Sequence, residues 1–457
     1  MAKAQLDETT YLKQVRDQYE NLPYPPRDPA HELKIFHYVH GSSLDRLNYY
    51  HFGGMRDFNQ PFEVLVAGCG TGDAVVTLAA QLYGTPARIT ALDMSSASLG
   101  VVKARLEKRG LDNVQLVHDS LLNVQAHMQQ PYDYINCSGV LHHLEVPEAG
   151  LAALERVLAP EGVMHLMLYA LYGREGVYQV QRLMRLINGD EPDMQNKVDA
   201  CRKVLADLSP QHALHQYLGK TVDVSLYGDA GLYDLLLHSH DVAYTVPQVY
   251  DFLATAKLLP THWFFGHHVK GNDLYRPEGY IRDADILAKV KALPLREQQA
   301  VAELMDGTIA RHEFYAARRL PEKPMANDLD VVPHFSVMQG PSVYEKLAQA
   351  LESYPLGQYI RLELDNVQLE LRNSMHAKLL LRFMDGNRPL RVVFDKLCDA
   401  MAPHEQKPDN AQLLREFAEM FETFNRHDLM FLKHGSASPY RDMAAAGSLR
   451  GRGAKKY

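Results

Sequence analysis

The residues of this 457-residue chain whose types and spacing could do chemistry are a glycine-rich turn, two acids placed after apolar runs, and a histidine pair. The run Val64-Leu65-Val66-Ala67 is short and apolar, and it gives way to Gly68-Cys69-Gly70-Thr71-Gly72-Asp73. Glycines at such a joint let the backbone turn tightly and let a ligand approach the main chain closely. A helix that follows offers free N–H groups and a positive dipole end to an anionic group such as a carboxylate. Dinucleotide-binding folds use a related loop, but their fingerprint carries Gly or Ala at its sixth position, where this chain has Asp73.

Asp93, in Ala91-Leu92-Asp93-Met94-Ser95, falls at the end of the next apolar stretch. An acid there can accept hydrogen bonds from two ribose hydroxyls. Its other reading is a cap for the helix that begins near Ser95. Asp119, in Val117-His118-Asp119-Ser120-Leu121, is placed to accept from an adenine amino group, or serves as a loop or cap residue. His142 and His143 follow Asn136-Cys137-Ser138-Gly139-Val140-Leu141. They could hold a ligand, position an acceptor or act as a base, with ordinary packing expected for one of them. No third ligand is spaced near them, so no metal is expected.

The elements that must position these residues alternate. Strands are expected near 62–67, 88–92, 114–117, 132–138 and 163–169, with helices over 73–83, 95–109 and 148–158 between them. Such alternation means βαβ units and a parallel sheet, beyond whose carboxyl edge ligands sit. The expected fold is α/β: a doubly wound, mostly parallel Rossmann-like sheet with a helical insertion and a separate C-terminal domain. Residues 1–55 read as an N-terminal helical cap, with helices over 7–20 and 33–50, and residues 56–170 with 245–320 as the α/β domain. Residues 171–244 read as the insertion, 321–333 as a linker, and 335–445 as a C-terminal domain of unknown role. Thr245 can cap a helix whose first turn holds Pro247. Asp306-Gly307 and Asp385-Gly386 each suit a helix–turn–helix joint and hint at a weak internal repeat.

Composition bounds the function. The chain is 46% apolar and 23% charged with a formal charge of −8, which argues against a broad nucleic-acid surface. Its four cysteines form no C-x-x-C pair, and no apolar run approaches the ~20 residues that span a bilayer. A cytoplasmic protein is expected, with no membrane partner. The basic tail Ser448–Tyr457 reads as a frayed terminus.

Taken together, VLVAGCGTGD, ALDMS, VHDSL, YDYINCSGVLHHLE and LAALERVLAPEGVMHLMLY resemble, in order and spacing, the motifs of class I S-adenosylmethionine-dependent methyltransferases over roughly residues 60–170. YENLPYPPRDP, LNYYHFGGMRDF, LYALYGREGVYQVQ and GDAGLYDLLLHSHDVAYTVPQVYDFL extend a resemblance to an uncharacterised bacterial-type subfamily from about residue 15 to 320. The resemblance implies S-adenosyl-L-methionine as cofactor. It implies Gly68, Gly70 and Gly72 around the methionine part, Asp93 on the ribose and Asp119 near the adenine, with Ala67, Cys69, Met94 and Ser120 also at the cofactor. Ser138 and Gly139 would border the transferring methyl, with Leu141 and His142 close by. His142 and His143 are the catalytic candidates.

The acceptor is expected to be a small molecule or a protein side chain, with no nucleic acid, and a homodimer is compatible with the aromatic-rich flanks. Tyr19, Tyr24, Tyr169 and Tyr172 are expected to lie near the acceptor pocket, on segments 11–27 and 171–244 that cover the cofactor. Two other functions are compatible with the same residues. One is a non-catalytic cofactor sensor or scaffold regulated by the C-terminal domain. The other is a nicotinamide-dependent oxidoreductase, against which Asp73 counts.

Overall fold

The computed structural model describes residues 8–218, 228–264, 271–364, 367–404 and 406–443. The basic tail and residues 219–227 of the insertion lie outside the described residues. Helix α1 (Glu8–Asn21) opens the described chain and stops ahead of Pro23, Pro25 and Pro26, which cannot continue it. The helix expected over 33–50 is reduced to α2 (Leu44–Tyr50), preceded by single 3-10 turns at Pro29–His31 and His40–Ser42. Tertiary bonds override local propensity there. Glu32 is drawn to Arg105 and Arg109 at 2.5 and 2.6 Å, and the Val39 N–H donates to Thr77 Oγ1 at 3.1 Å.

The central sheet is built from β1 (Glu63–Ala67), β2 (Arg88–Asp93), β3 (Val114–His118), β4 (Tyr132–Ser138), β5 (Leu158–Ala170), β6 (Ala243–Tyr244), β7 (Leu259–Phe264) and β8 (Arg311–Ala317). Its order is β3-β2-β1-β4-β5-β8-β7, with β6 pairing β5. The first five strands run parallel, and β8 runs antiparallel to both β5 and β7. Helices α3 (Asp73–Leu82), α4 (Ser96–Arg109) and α5 (Pro147–Val157) connect the parallel strands. Successive β1 side chains feed opposite cores. Val64 and Val66 join one buried cluster, and Leu65 and Ala67 join the other. Burial on both faces is why the strands read as unbroken apolar runs.

The insertion carries α6 (Glu175–Asn188), α7 (Met194–Ala206), short helices at Ala213–Leu218 and Gly228–Leu232, and a π-helical turn at Tyr233–Leu237. Val177, Val180, Met184, Cys201 and Leu232 give it a core of its own. The chain returns to the sheet through the helix Val246–Ala254. Its start is a capping box, in which Thr245 accepts from the Gln248 backbone and the Gln248 side chain accepts from the Thr245 N–H.

The two Asp-Gly joints do different things. Gly307, at φ +65°, closes the helix Leu295–Asp306, but the chain then enters β8 rather than a second helix. Gly386 joins the helices Ala377–Phe383 and Leu390–Ala400. The hint of a repeat therefore has no structural counterpart. The expected linker also ends early, because β9 (Val331–Phe335) begins inside it and is buried throughout.

With β10 (Tyr359–Leu364), β11 (Val367–Arg372) and β12 (Met430–His434), β9 forms two two-stranded antiparallel sheets, β9 with β12 and β10 with β11. Helices Val343–Glu352 and Asn410–Asn425 pack with them. This C-terminal region has its own sheets, and its apolar core runs without a break into that of the α/β face through Leu47, Tyr49 and Tyr50 of α2. No described helix is long and apolar enough to cross a membrane.

Candidate active site

The turn after β1 is pressed between two layers. Gly68 sits at φ +67°, and a Cβ there would lie 2.5 Å from Val140 Cγ2 in the segment after β4. Gly70 sits at φ +50°, and a Cβ there would lie 2.6 Å from the Tyr24 carbonyl oxygen. Both positions therefore need glycine for conformation and for space. The upper layer is the Tyr24–Arg27 strap. The Thr71 N–H donates to the Tyr24 carbonyl at 3.4 Å, and Thr71 Oγ1 donates to the Pro25 carbonyl at 2.5 Å. Gly72 is the N-cap of α3, and Ala67 and Cys69 are buried. Burial raises the Cys69 thiol well above its ordinary range, so it fills space as an unreactive thiol.

Asp73 is an ion-pair residue. Arg27 grips its carboxylate at 2.7–3.1 Å, and Arg105 reaches it at 2.8 Å while also holding Glu32. Burial raises its pKa, but the two guanidiniums outweigh that and hold it below the carboxylate range. The strap, the glycine turn and α4 are thus tied by one buried charge network.

Asp93 stands at the end of β2 and is 8% exposed. Its Oδ2 accepts the Gly70 N–H at 2.7 Å and its Oδ1 accepts the Ser95 N–H at 2.9 Å. Burial pushes its carboxyl above the usual range, and these two donors pull it back only in part. The helix-cap role belongs to Ser95, whose hydroxyl accepts the Ser98 N–H at 3.0 Å. Met94, half-buried, turns its carbonyl to His118 Nε2 at 3.0 Å. Asp119 follows β3. His127 Nε2 lies 2.7 Å from its Oδ2, and Asn123 donates to Oδ1 at 2.9 Å. Those contacts, His127 first, lower its pKa. Ser120 caps the next 3-10 turn through the Leu122 N–H.

At the end of β4, the Ser138 hydroxyl lies 3.2 Å from His165 Nδ1, and the Gly139 N–H donates to the Met167 carbonyl at 3.2 Å. Asn136 donates to the same His165 nitrogen at 2.8 Å, which leaves Nε2 to donate to Glu313 at 3.0 Å. His142 is fully buried with its ring 3.9 Å from that of Tyr169. Burial lowers its pKa well below the ordinary value. His143 directs Nδ1 to the His240 carbonyl at 3.0 Å and stacks on His238 at 3.9 Å. Burial lowers it to about 4. Both rings are therefore neutral near pH 7.

The insertion and α1 pack beside the pair. Tyr19 donates its hydroxyl to Asp234 Oδ1 at 3.0 Å, while its own carbonyl accepts from Ser95 Oγ at 3.1 Å. Arg174 lies over the Tyr169 ring at 3.5 Å and faces Asp241 at 3.5 Å. Tyr172 sits on the 3-10 turn that delivers Arg174. Tyr19 and Asp234 thus join α1 to the insertion near the carboxyl end of β2. Asp234, His238, Arg174, His165 and Glu313 are the residues sequence reasoning missed. His238-Ser239-His240-Asp241 is the one sequence signal that points to this cluster.

Comparison with known proteins adds a domain match over part of the chain. The methyltransferase domain profile matches residues 65–164, the span that runs from the glycine turn through β4 into β5. The chain carries a class I S-adenosylmethionine-dependent methyltransferase domain. An uncharacterized protein of Synechococcus sp. is 30% identical over 285 residues, 62% of this chain and 66% of that one. The tRNA 5-carboxymethoxyuridine methyltransferase of Escherichia coli K12 is 31% identical over 115 residues, 25% of this chain and 42% of that one. The chain thus spans just under two thirds of the first relative and under half of the second. The fold of PKMT2 from Rickettsia typhi, solved with AdoHcy, matches with a TM-score of 0.59 at 14% identity, covering 90% of this chain and 77% of that one.

The methyltransferase domain takes S-adenosylmethionine, and its residues fit that cofactor. The turn leaves no room for a Cβ at Gly68 or Gly70, and Asp93 offers a buried carboxylate whose burial is not offset by its two backbone donors. Ribose hydroxyls are donors of the kind that would offset it.

Proposed function

We propose that this chain moves the methyl group of S-adenosylmethionine to a small molecule or a protein side chain held beside the cluster of Tyr19, His143, Asp234 and His238. The observation that carries this reading is the position of Tyr19. Its backbone is bonded to the turn after Asp93 and its hydroxyl to Asp234, so one residue links the turn at the end of β2 to that cluster.

The bound cofactor supplies an activated methyl on sulfur, and the protein's task is orientation. Asp93 is set to hold ribose hydroxyls, while Val140 and the strap fix the height of the glycine turn on either side. Ser138 and Gly139 are held at the end of β4 by His165 and the Met167 carbonyl. The neutral His143 keeps a lone pair on Nε2, because Nδ1 faces a carbonyl. At a pKa of about 4 it is a weak base, which suits positioning more than deprotonation.

The net charge of −8 supports a small-molecule or protein acceptor over a nucleic acid, which rewards clustered cations. The likeness to the tRNA-modifying relative covers 115 residues. A purely non-catalytic reading finds no support among relatives named as methyltransferases.

The test is to incubate the full chain with methyl-labelled S-adenosylmethionine and a cell extract split into small-molecule, protein and RNA fractions. Label should enter the small-molecule or the protein fraction, with matching S-adenosylhomocysteine. Label in RNA alone contradicts the acceptor class, and no label anywhere contradicts methyl transfer.

A further inference from the structure

The fold brings three ligand-type side chains together from distant parts of the chain. One ligand atom from each of His143, Asp234 and His238 lies within 4.8 Å of the other two, and all three residues are buried. Metal–donor bonds of about 2.0–2.2 Å put neighbouring donors roughly 3 Å apart, so small side-chain rotations close the set on an ion.

Independent features point the same way. His143 presents Nδ1 to the His240 carbonyl at 3.0 Å, the arrangement that holds a metal-bound imidazole with its other nitrogen directed outward. Asp234 lies in the π-helical turn Tyr233–Leu237, and His238 immediately follows it. Such turns depart from regular helix bonding and recur at functional sites. The Tyr19 hydroxyl, 3.0 Å from Asp234 Oδ1 and 3.5 Å from His238 Nε2, adds an oxygen at the rim. The neighbouring cation Arg174 faces Asp241, so an opposing charge lies beside it.

We propose that His143, Asp234 and His238 bind one divalent transition-metal ion, with the Tyr19 hydroxyl on its open side. Two imidazoles and one carboxylate are ligands of zinc and of ferrous or manganous ions, whereas magnesium and calcium prefer oxygen sets. The alternative occupant of this space is a plain hydrogen-bond network. His238 Nδ1 accepts the His240 N–H at 3.1 Å, so the metal-free ring carries its hydrogen on Nε2. An ion bound at Nε2 must displace that hydrogen, which leaves as a proton to the buffer. A network alone takes up no ion and releases no proton.

The experiment uses the full chain, stripped with a chelator and titrated with Zn²⁺, Mn²⁺ and Mg²⁺ by calorimetry in two buffers of different ionisation enthalpy. Bound metal is counted by mass spectrometry. One Zn²⁺ per chain with proton release is expected, and Mg²⁺ should not compete. His143→Ala, Asp234→Asn and His238→Gln should each lower Zn²⁺ affinity by about 100-fold. S-adenosylhomocysteine affinity reports that each variant is folded. Where a variant fails that control, the visible spectrum of the wild-type Co²⁺ form decides: a mixed nitrogen–oxygen ligand band supports the site, and the spectrum of the aquo ion overturns it. Absence of stoichiometric Zn²⁺ in the wild type, or binding unchanged in folded variants, also overturns it. No readout needs a methyl acceptor, so failure of the metal site and failure of the methyl-transfer reading are separately visible.

Discussion

Asp93 does two jobs with one carboxylate. It fixes the glycine turn through the Gly70 N–H and offers buried oxygen to a ligand. Asp93→Ala should weaken S-adenosylmethionine binding by about 1–3 kcal/mol, while Asp93→Asn, which keeps one acceptor, should lose less. Calorimetry on folded protein checks both, and wild-type affinity in the alanine variant would remove the ribose assignment. Glu313 shows how much a single pair can bear. Burial raises its pKa, yet the hydrogen bond from His165, joined by the Arg311 charge, carries it down to about 2. A carboxylate depressed on folding stabilises fully above its unfolded pKa, so this contribution is present above about pH 4.5 and is lost as pH falls toward 2. Glu313→Gln should remove on the order of 3 kcal/mol of that acid-sensitive stability, read from denaturant melts across the window. The glycine turn and Asp93 were legible because their spacing is local. Glu313 and Asp234 were not, since nothing near them in the chain marks an acid that the fold will bring to a histidine.

Among the elements, the strap and α4 depend on one another. Arg105 is fully buried and bonds Glu32, Asp73 and the Thr71 carbonyl. Removing one partner of a buried ion network strands the others, so Arg105→Ala should cost about 3–5 kcal/mol in chemical denaturation, a loss well above that of a surface pair. A cost under about 1 kcal/mol, the surface-pair range, would mean the network is not what anchors the strap. The parallel strands were readable because each is an apolar run bounded by turn residues. Strand β8 was not. His312-Glu313-Phe314-Tyr315 mixes charge with aromatics, and the preceding Asp306-Gly307 joint looks like a helix–helix turn. Its pairing with β5 and β7 is a long-range fact. The segment 32–43 failed as a helix for the same reason, with Arg105 and Arg109 holding Glu32 away from helical continuation.

At the scale of the whole molecule, the C-terminal region shares its core with the α/β face. Asp428, 1% exposed, accepts from the Tyr50 hydroxyl and from Asn272, and lies 3.5 Å from Arg46. Unfolding should therefore show a single cooperative transition, with Asp428→Ala lowering its midpoint. Two resolved calorimetric transitions would show the regions to be energetically separate. The boundary near residue 335 was drawn from composition, which sees the prolines of 321–333 but not the pairing of β9 with β12.

The most direct test of the central claim is a crystal structure of the chain with S-adenosylhomocysteine. The ribose hydroxyls should lie on Asp93 and the sulfur beside Ser138 and Gly139, open toward Tyr19 and His143. Density for the ligand away from Asp93, or with its sulfur turned from those residues, would contradict the assignment of both cofactor cradle and acceptor site.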